Sequence, residues 1–183
     1  MSRVRRTDYM IRMYTGGNRL PQYYRDQILD DTCWSAMCRS AIPWEDGTYP
    51  ENALSSAQII LLATVGRTVV GFLCGLTSSF VSPLTETPVA NPYEWYLDVV
   101  CALEGGHGGA LIRQFMIEAK RAGMSQIRLY SVEAALGTWD RYGFRECDDS
   151  RSKEGRDCYR KVYAKDPAQG VRMTRALLDI CVC

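Results

Sequence analysis

The sequence predicts one mixed α/β domain, and three observations predict it. Short segments of alternating or β-branched apolar residues are interleaved with segments of helical period along most of the 183 residues. A strand-like run of aromatics and valines leads directly into four glycines, at 105, 106, 108 and 109, which open a helix. That helix carries a continuous apolar stripe. The predicted order is β, α, α, β, β, β, α, β, α, β, which calls for a sheet packed against helices. A chain of this length buries roughly 70% of its unfolded surface, enough for a single full core.

Each element has its own justification. Residues 9–14 alternate and are stopped by Gly16-Gly17-Asn18, as a first strand would be. Asn18 and Pro21 then open a short helix reaching about residue 30. In residues 32–42, Trp34, Met37, Cys38, Ala41 and Ile42 recur at helical spacing and form a face for packing on the sheet. Residues 43–56 hold two prolines, Gly47 and the acidic pair Glu45-Asp46, and read as a surface loop bordering a pocket. Residues 59–64 and 69–76 form a hairpin around Val65-Gly66-Arg67. Residues 78–91 are a Ser, Thr and Pro-rich connection.

Residues 93–101 return as a strand carrying Glu94 and Asp98, which share a face if the strand is regular. Beyond the glycines, Leu111, Ile112, Phe115, Met116, Ala119 and Ala122 make the buried stripe of a helix that ends at Gly123. Residues 126–131 read as a strand and 133–142 as a short helix closed by Gly143-Phe144. Residues 158–164 read as the last strand, and 168–180 as a terminal helix or partner-binding tail.

Composition narrows the function classes. Hydrophobic content of 46%, charged content of 23% and a net charge of +1 are those of an ordinary globular protein. No global field recruits nucleic acid or a membrane. The basic start Arg3-Val4-Arg5-Arg6 is followed by no apolar run of signal length, so a cytoplasmic protein is expected. The eight cysteines include no C-x-x-C pair and the only histidine is His107, so no metal site is expected and reduced, buried thiols are the default.

The glycine turn is where chemistry is expected. Glycines let a ligand approach the main chain, and the first turn of the following helix offers unpaired N–H groups and the positive end of its dipole. A phosphate or pyrophosphate suits such a place. A P-loop is excluded because no Lys-Ser or Lys-Thr follows the glycines. A Rossmann fingerprint fits poorly, since Gly106-x-Gly108 is followed by Leu111 and the next strand ends in Leu129-Tyr130-Ser131 without a carboxylate. A tight turn that binds nothing is the remaining alternative.

Three segments together resemble the GNAT superfamily of acetyl-CoA-dependent N-acetyltransferases, over residues 9–163. Thr68-Val69-Val70-Gly71-Phe72-Leu73 is similar to the family's third strand. Leu103-Glu104-Gly105-Gly106-His107-Gly108 stands where the family has Q/R-x-x-G-x-G/A, with Leu103 in place of the Gln or Arg. The segment from Glu133 through Trp139 and Tyr142 to Gly143-Phe144 is similar to the family's helix ending in Gly-Phe.

The resemblance implies a single domain with a central mixed, mostly antiparallel sheet flanked by helices, and residues 166–183 as a terminal helix or tail. It implies acetyl-CoA as co-substrate, its pantetheine arm between the strand at Val99, Val100 and Cys101 and a neighbour beginning near Gln126. The pyrophosphate would rest on Gly105, Gly106, His107, Gly108, Gly109 and Ala110. Trp139 occupies the place of the tyrosine that protonates the departing thiolate in many members, and would instead wall the pantetheine channel. An indole N–H cannot serve as that acid, so Tyr142, one turn along, is the substitute candidate. Glu94 or Asp98 is the candidate base, with ordered water as the alternative. The implied reaction is direct acetyl transfer to a small-molecule amine or a peptide amine, and a homodimer is compatible with it. The competing class is a module that holds acetyl-CoA or a partner without turnover.

Overall fold

A computed structural model describes residues 9–30, 37, 49–77, 94–103, 106–131, 136–146 and 171–176. The strands are β1 (Met10–Thr15), β2 (Ile59–Val65), β3 (Thr68–Leu76), β4 (Glu94–Ala102), β5 (Gln126–Ser131), β6 (Arg145–Glu146) and β7 (Val171–Ala176). The helices are α1 (Gln22–Leu29), α2 (Tyr49–Ser56), α3 (His107–Arg121) and α4 (Leu136–Arg141), with a 3-10 turn at Gly17–Arg19. The strands form one sheet in the order β1-β2-β3-β4-β5-β7-β6. Every pairing is antiparallel except β4 with β5, which is parallel and therefore requires the crossover that α3 supplies. The mixed, mostly antiparallel sheet expected from the sequence is the one observed.

Helices cover both faces, which is why β2 and β3 are buried along nearly their whole length. One face carries the α3 stripe, with Leu111, Ile112, Phe115, Met116 and Ala119 packed on Ile59, Leu61, Leu73, Leu97, Ile127 and Leu129. The other face carries Ile28 of α1, Met37, and Ala53 and Leu54 of α2 against Ile60, Leu62, Phe72 and Val99. Gln27 of α1 clamps the β2–β3 hairpin: its Nε2 donates to the Arg67 carbonyl at 3.1 Å and its Oε1 accepts from the Val69 N–H at 2.9 Å. Gly66 turns that hairpin with φ of 60°, in the left-handed region.

Both α3 and α4 end as their glycines require. The Met124 N–H returns to the Ala119 carbonyl and the Gly123 N–H to Lys120, and Phe144 and Gly143 repeat the pattern on Trp139 and Asp140. Close packing over α3 depends on Gly75, because any Cβ there would collide with the Phe115 ring. Gly75→Val is accordingly expected to cost about 1–3 kcal/mol through overpacking, measured as a lower urea midpoint at constant slope; an unchanged midpoint would mean the ring yields freely.

Two expectations are corrected. Residues 43–56 are not a loop throughout, since 49–56 form α2. Pro50 stands in the first turn, where a missing N–H breaks no helical bond, and Ala53 and Leu54 bury against the sheet. Likewise, 168–180 is not a continuous helix, because Val171–Ala176 is β7, paired with β5 from Gln126↔Ala176 to Ser131↔Val171. Val-Arg-Met-Thr alternates for only four residues, a pattern that the leucines at 177 and 178 obscure. The expected strand at 158–164, and most of the expected helix at 32–42, lie outside the described residues; Met37 is helical and buried.

Candidate functional site

β4 and β5 begin as a paired ladder and then part. Pairing runs from Glu94↔Gln126 to Leu97↔Leu129 and stops, although β4 continues to Ala102 and β5 to Ser131. Each remains paired on its far side, β4 to β3 and β5 to β7. The result is a fork closed at Leu97 and Leu129.

A bulge sits at the apex. Cys74 opposes Val99 while Gly75 opposes Leu97, so Asp98 is an extra residue on β4. The parity of the strand flips there. Trp95 and Leu97 lie in the core under α3, whereas Val99 and Cys101 lie in the core on the opposite face. Asp98 is partly buried, and loss of hydration pushes its carboxyl up to about 6. Cys74 is fully buried beside it; burial first, and the Asp98 charge second, push its thiol well above the usual range. Cys101 is disulfide-bonded, which corrects the expectation of reduced thiols throughout. Neither described cysteine is a thiolate nucleophile.

Glu94 is not placed like Asp98. Its carboxylate is buried below the fork, with the Arg128 Nε at 3.1 Å from Oε1 and the Gln126 Nε2 donating to Oε2 at 2.6 Å. The Arg128 guanidinium also stacks over Tyr96, 6.0 Å from its centroid. This cross-strand pair holds β4 to β5 immediately before they separate.

At the open end, α3 begins without a side-chain cap. Gly106 is its N-cap with φ of 87° and offers no side-chain cap, and no acidic residue lies in the first turn. The N–H groups of His107, Gly108 and Gly109 have no acceptor within the helix, an arrangement suited to an anion, whereas Ala110, expected from the sequence to contribute, donates its N–H to the Gly106 carbonyl at 3.1 Å. Gly105 lies outside the described residues. The His107 ring does not extend the anion site by any bond seen here: it is 8% exposed, edge-on to Tyr9 at 5.1 Å, and its Nδ1 has no hydrogen-bond partner.

Trp139 is buried in the core beside Leu129 and Phe115, at 5.4 Å and edge-on to Phe144. Tyr142 is partly buried and directs its hydroxyl against Gly109, so closely that a Cβ on Gly109 would collide with it; the Arg113 Nη1 lies alongside. The phenol thus stands at the first turn of α3. Asp98 and the fork, Gly106 to Ala110, and Tyr142 are brought onto one stretch of the molecule; Glu94 is set apart as an ion-pair partner. Arg113, Gln126 and Arg128 were not singled out by sequence, since only the β4–β5 register and the α4 docking reveal them.

No protein-family model and no curated protein matches the sequence. Solved structures do. Ard1 from Thermoplasma volcanium is 17% identical, with a TM-score of 0.58 over 93% of this chain and 99% of that one. The catalytic domain of Tetrahymena GCN5 histone acetyltransferase, solved in complex with coenzyme A, is 13% identical, with a TM-score of 0.62 over 94% and 95%. A GNAT-family protein from Desulfovibrio desulfuricans is 13% identical, with a TM-score of 0.63 over 93% and 99%. At these identities the likeness establishes the fold. Among the described residues, no helix is long and apolar enough to cross a membrane.

Proposed function

We propose that this chain, which has the GNAT fold, is an N-acetyltransferase that moves an acetyl group from acetyl-CoA to a primary amine of a small molecule or peptide. The observation that carries this reading is the fork opening toward an uncapped helix N-terminus, with Asp98 at its apex. The main-chain N–H groups of His107, Gly108 and Gly109 hold the pyrophosphate, while that of Ala110 is already bonded to the Gly106 carbonyl. The strand edge at Val99, Val100 and Cys101 holds the arm, and an N–H near Val100 or Cys101 receives the oxyanion.

Asp98 takes the proton of the acceptor amine. The amine nitrogen attacks the thioester carbonyl carbon, the amide bond forms, and the C–S bond breaks with its electron pair leaving on sulfur. The thiolate then takes a proton. A direct route is favoured because Cys74 is a buried thiol and Cys101 is in a disulfide.

For Tyr142 two roles compete, acid to the thiolate or donor to the cofactor's phosphates, and its contact with Gly109 favours the second. The test joins binding to turnover. Acetyl-CoA should stabilise the protein in proportion to the logarithm of its concentration, by about 2.7 kcal/mol at a hundred times Kd, while NAD and ATP should not. Tyr142→Phe should weaken acetyl-CoA binding several-fold with little change in kcat; lowered kcat at unchanged Kd would instead assign the acid role. No stabilisation by millimolar acetyl-CoA would remove the reading as a whole. Stabilisation without coenzyme A release across an amine panel would favour the non-catalytic module, a reading that Trp139 at the usual phenol position supports.

A further inference from the structure

We propose that Leu97 and Leu129, the last paired residues before β4 and β5 separate, set the length of the acyl group this protein accepts, and that they restrict it to acetyl. The inference rests on the reading of the fork as an acyl-CoA site. If the phosphates are held at His107 to Gly109, they lie beyond the C-terminal end of β4, and the arm runs back along the strand toward the apex. From the apex at Leu97 to the end of β4 at Ala102 is about 16 Å at about 3.3 Å per residue. The arm from pyrophosphate to sulfur has roughly thirteen bonds, and at the extension of a polypeptide it spans about 15 Å. The thioester therefore reaches the apex, and its acyl chain points at the closed ladder.

A longer acyl chain has nowhere to go within the sheet plane. Toward α3 it meets Leu97 and Leu129, 2% and 1% exposed and packed with Phe115 and Trp139 in one core. Toward the other face it meets Tyr96 and, over its ring, the Arg128 guanidinium, whose displacement would strand the buried Glu94 charge. Of the two exits, the leucines are the one that truncation can open without uncovering a charge.

The test measures dissociation constants for coenzyme A and for acetyl-, propionyl- and butyryl-CoA, which needs no knowledge of the acceptor. On an open apolar surface each added methylene would tighten binding by about fourfold. A plugged apex reverses that sign, and butyryl-CoA is expected to bind at least about tenfold more weakly than acetyl-CoA. Leu129→Val should restore propionyl-CoA first, and Leu129→Ala should lower the butyryl-to-acetyl ratio of Kd at least about tenfold, with coenzyme A itself bound as in wild type. Leu97→Val gives an independent readout should Leu129→Ala fail to fold. Wild-type binding that is flat or tighter with chain length, or ratios unmoved in the folded variants, overturns the proposal while leaving the acyl-CoA site standing. Failure of coenzyme A and every thioester to bind overturns the acyltransferase reading and this one with it.

Discussion

Asp98→Asn is expected to lower turnover by at least about a hundredfold, the usual scale for loss of a general base, while acetyl-CoA binding stays near wild type. The reason is its place. The bulge puts this one carboxylate at the point where the strands part, and burial raises its pKa to about 6, making it a stronger base than an exposed aspartate and still ionised at pH 7. The acid limb of the wild-type rate profile should fall near that value and be absent from the residual activity of the variant. Stability should move the opposite way. The unfolded carboxyl ionises near 3.8 and the folded one near 6, so the folded state binds the extra proton between these values and wild type loses stability as pH rises through them. The loss is up to roughly 3 kcal/mol. Asp98→Asn should therefore match wild type below about pH 4 and exceed it above about pH 6. A variant with full activity would send the base role to ordered water, and a stability curve parallel to wild type would show that folding does not raise the Asp98 carboxyl.

Arg128→Met is expected to cost about 3–5 kcal/mol, because it leaves the Glu94 carboxylate buried with Gln126 as its one partner among the described residues. Both members of the pair are 5% exposed, so water cannot substitute without opening the sheet. Glu94→Leu combined with Arg128→Met should recover most of the loss, since a matched apolar pair removes the uncompensated charge. Denaturation midpoints of the two single variants and the double variant give the coupling. A single-variant cost within about 0.5 kcal/mol, the range of surface changes, would show that the pair does not hold the base of the fork. The same series separates the acids, because a folded Glu94→Gln protein should retain turnover that Asp98→Asn lacks.

The strands of the central sheet, the α3 stripe and the glycine ends of α3 and α4 were legible in the sequence because their causes are local. A period of two, a period of 3.6 and a residue able to adopt positive φ act within a few positions of the chain. The glycine turn that opens α3 was legible for the same reason. Pro50 was misread because a proline breaks a helix interior but suits a first turn, and only the burial of Ala53 and Leu54 on the sheet decided between them. The strand at Val171–Ala176 was misread because its alternation is short and needed β5 as a template to outweigh the leucines beyond it.

Glu94 and Asp98 show the boundary most clearly. Sequence placed two equivalent acids four residues apart on one strand. What separated them was the pairing on either side of β4: the parallel register with β5 set Arg128 and Gln126 against Glu94, and the mismatch with β3 made Asp98 the bulge. Register across strands distant in sequence is fixed by the packing of both sheet faces at once, and no short-range pattern encodes it. The chain by itself determined that a glycine turn would follow this strand and open a helix; the tertiary structure alone decided which carboxylate stands at the fork and which is spent holding it shut.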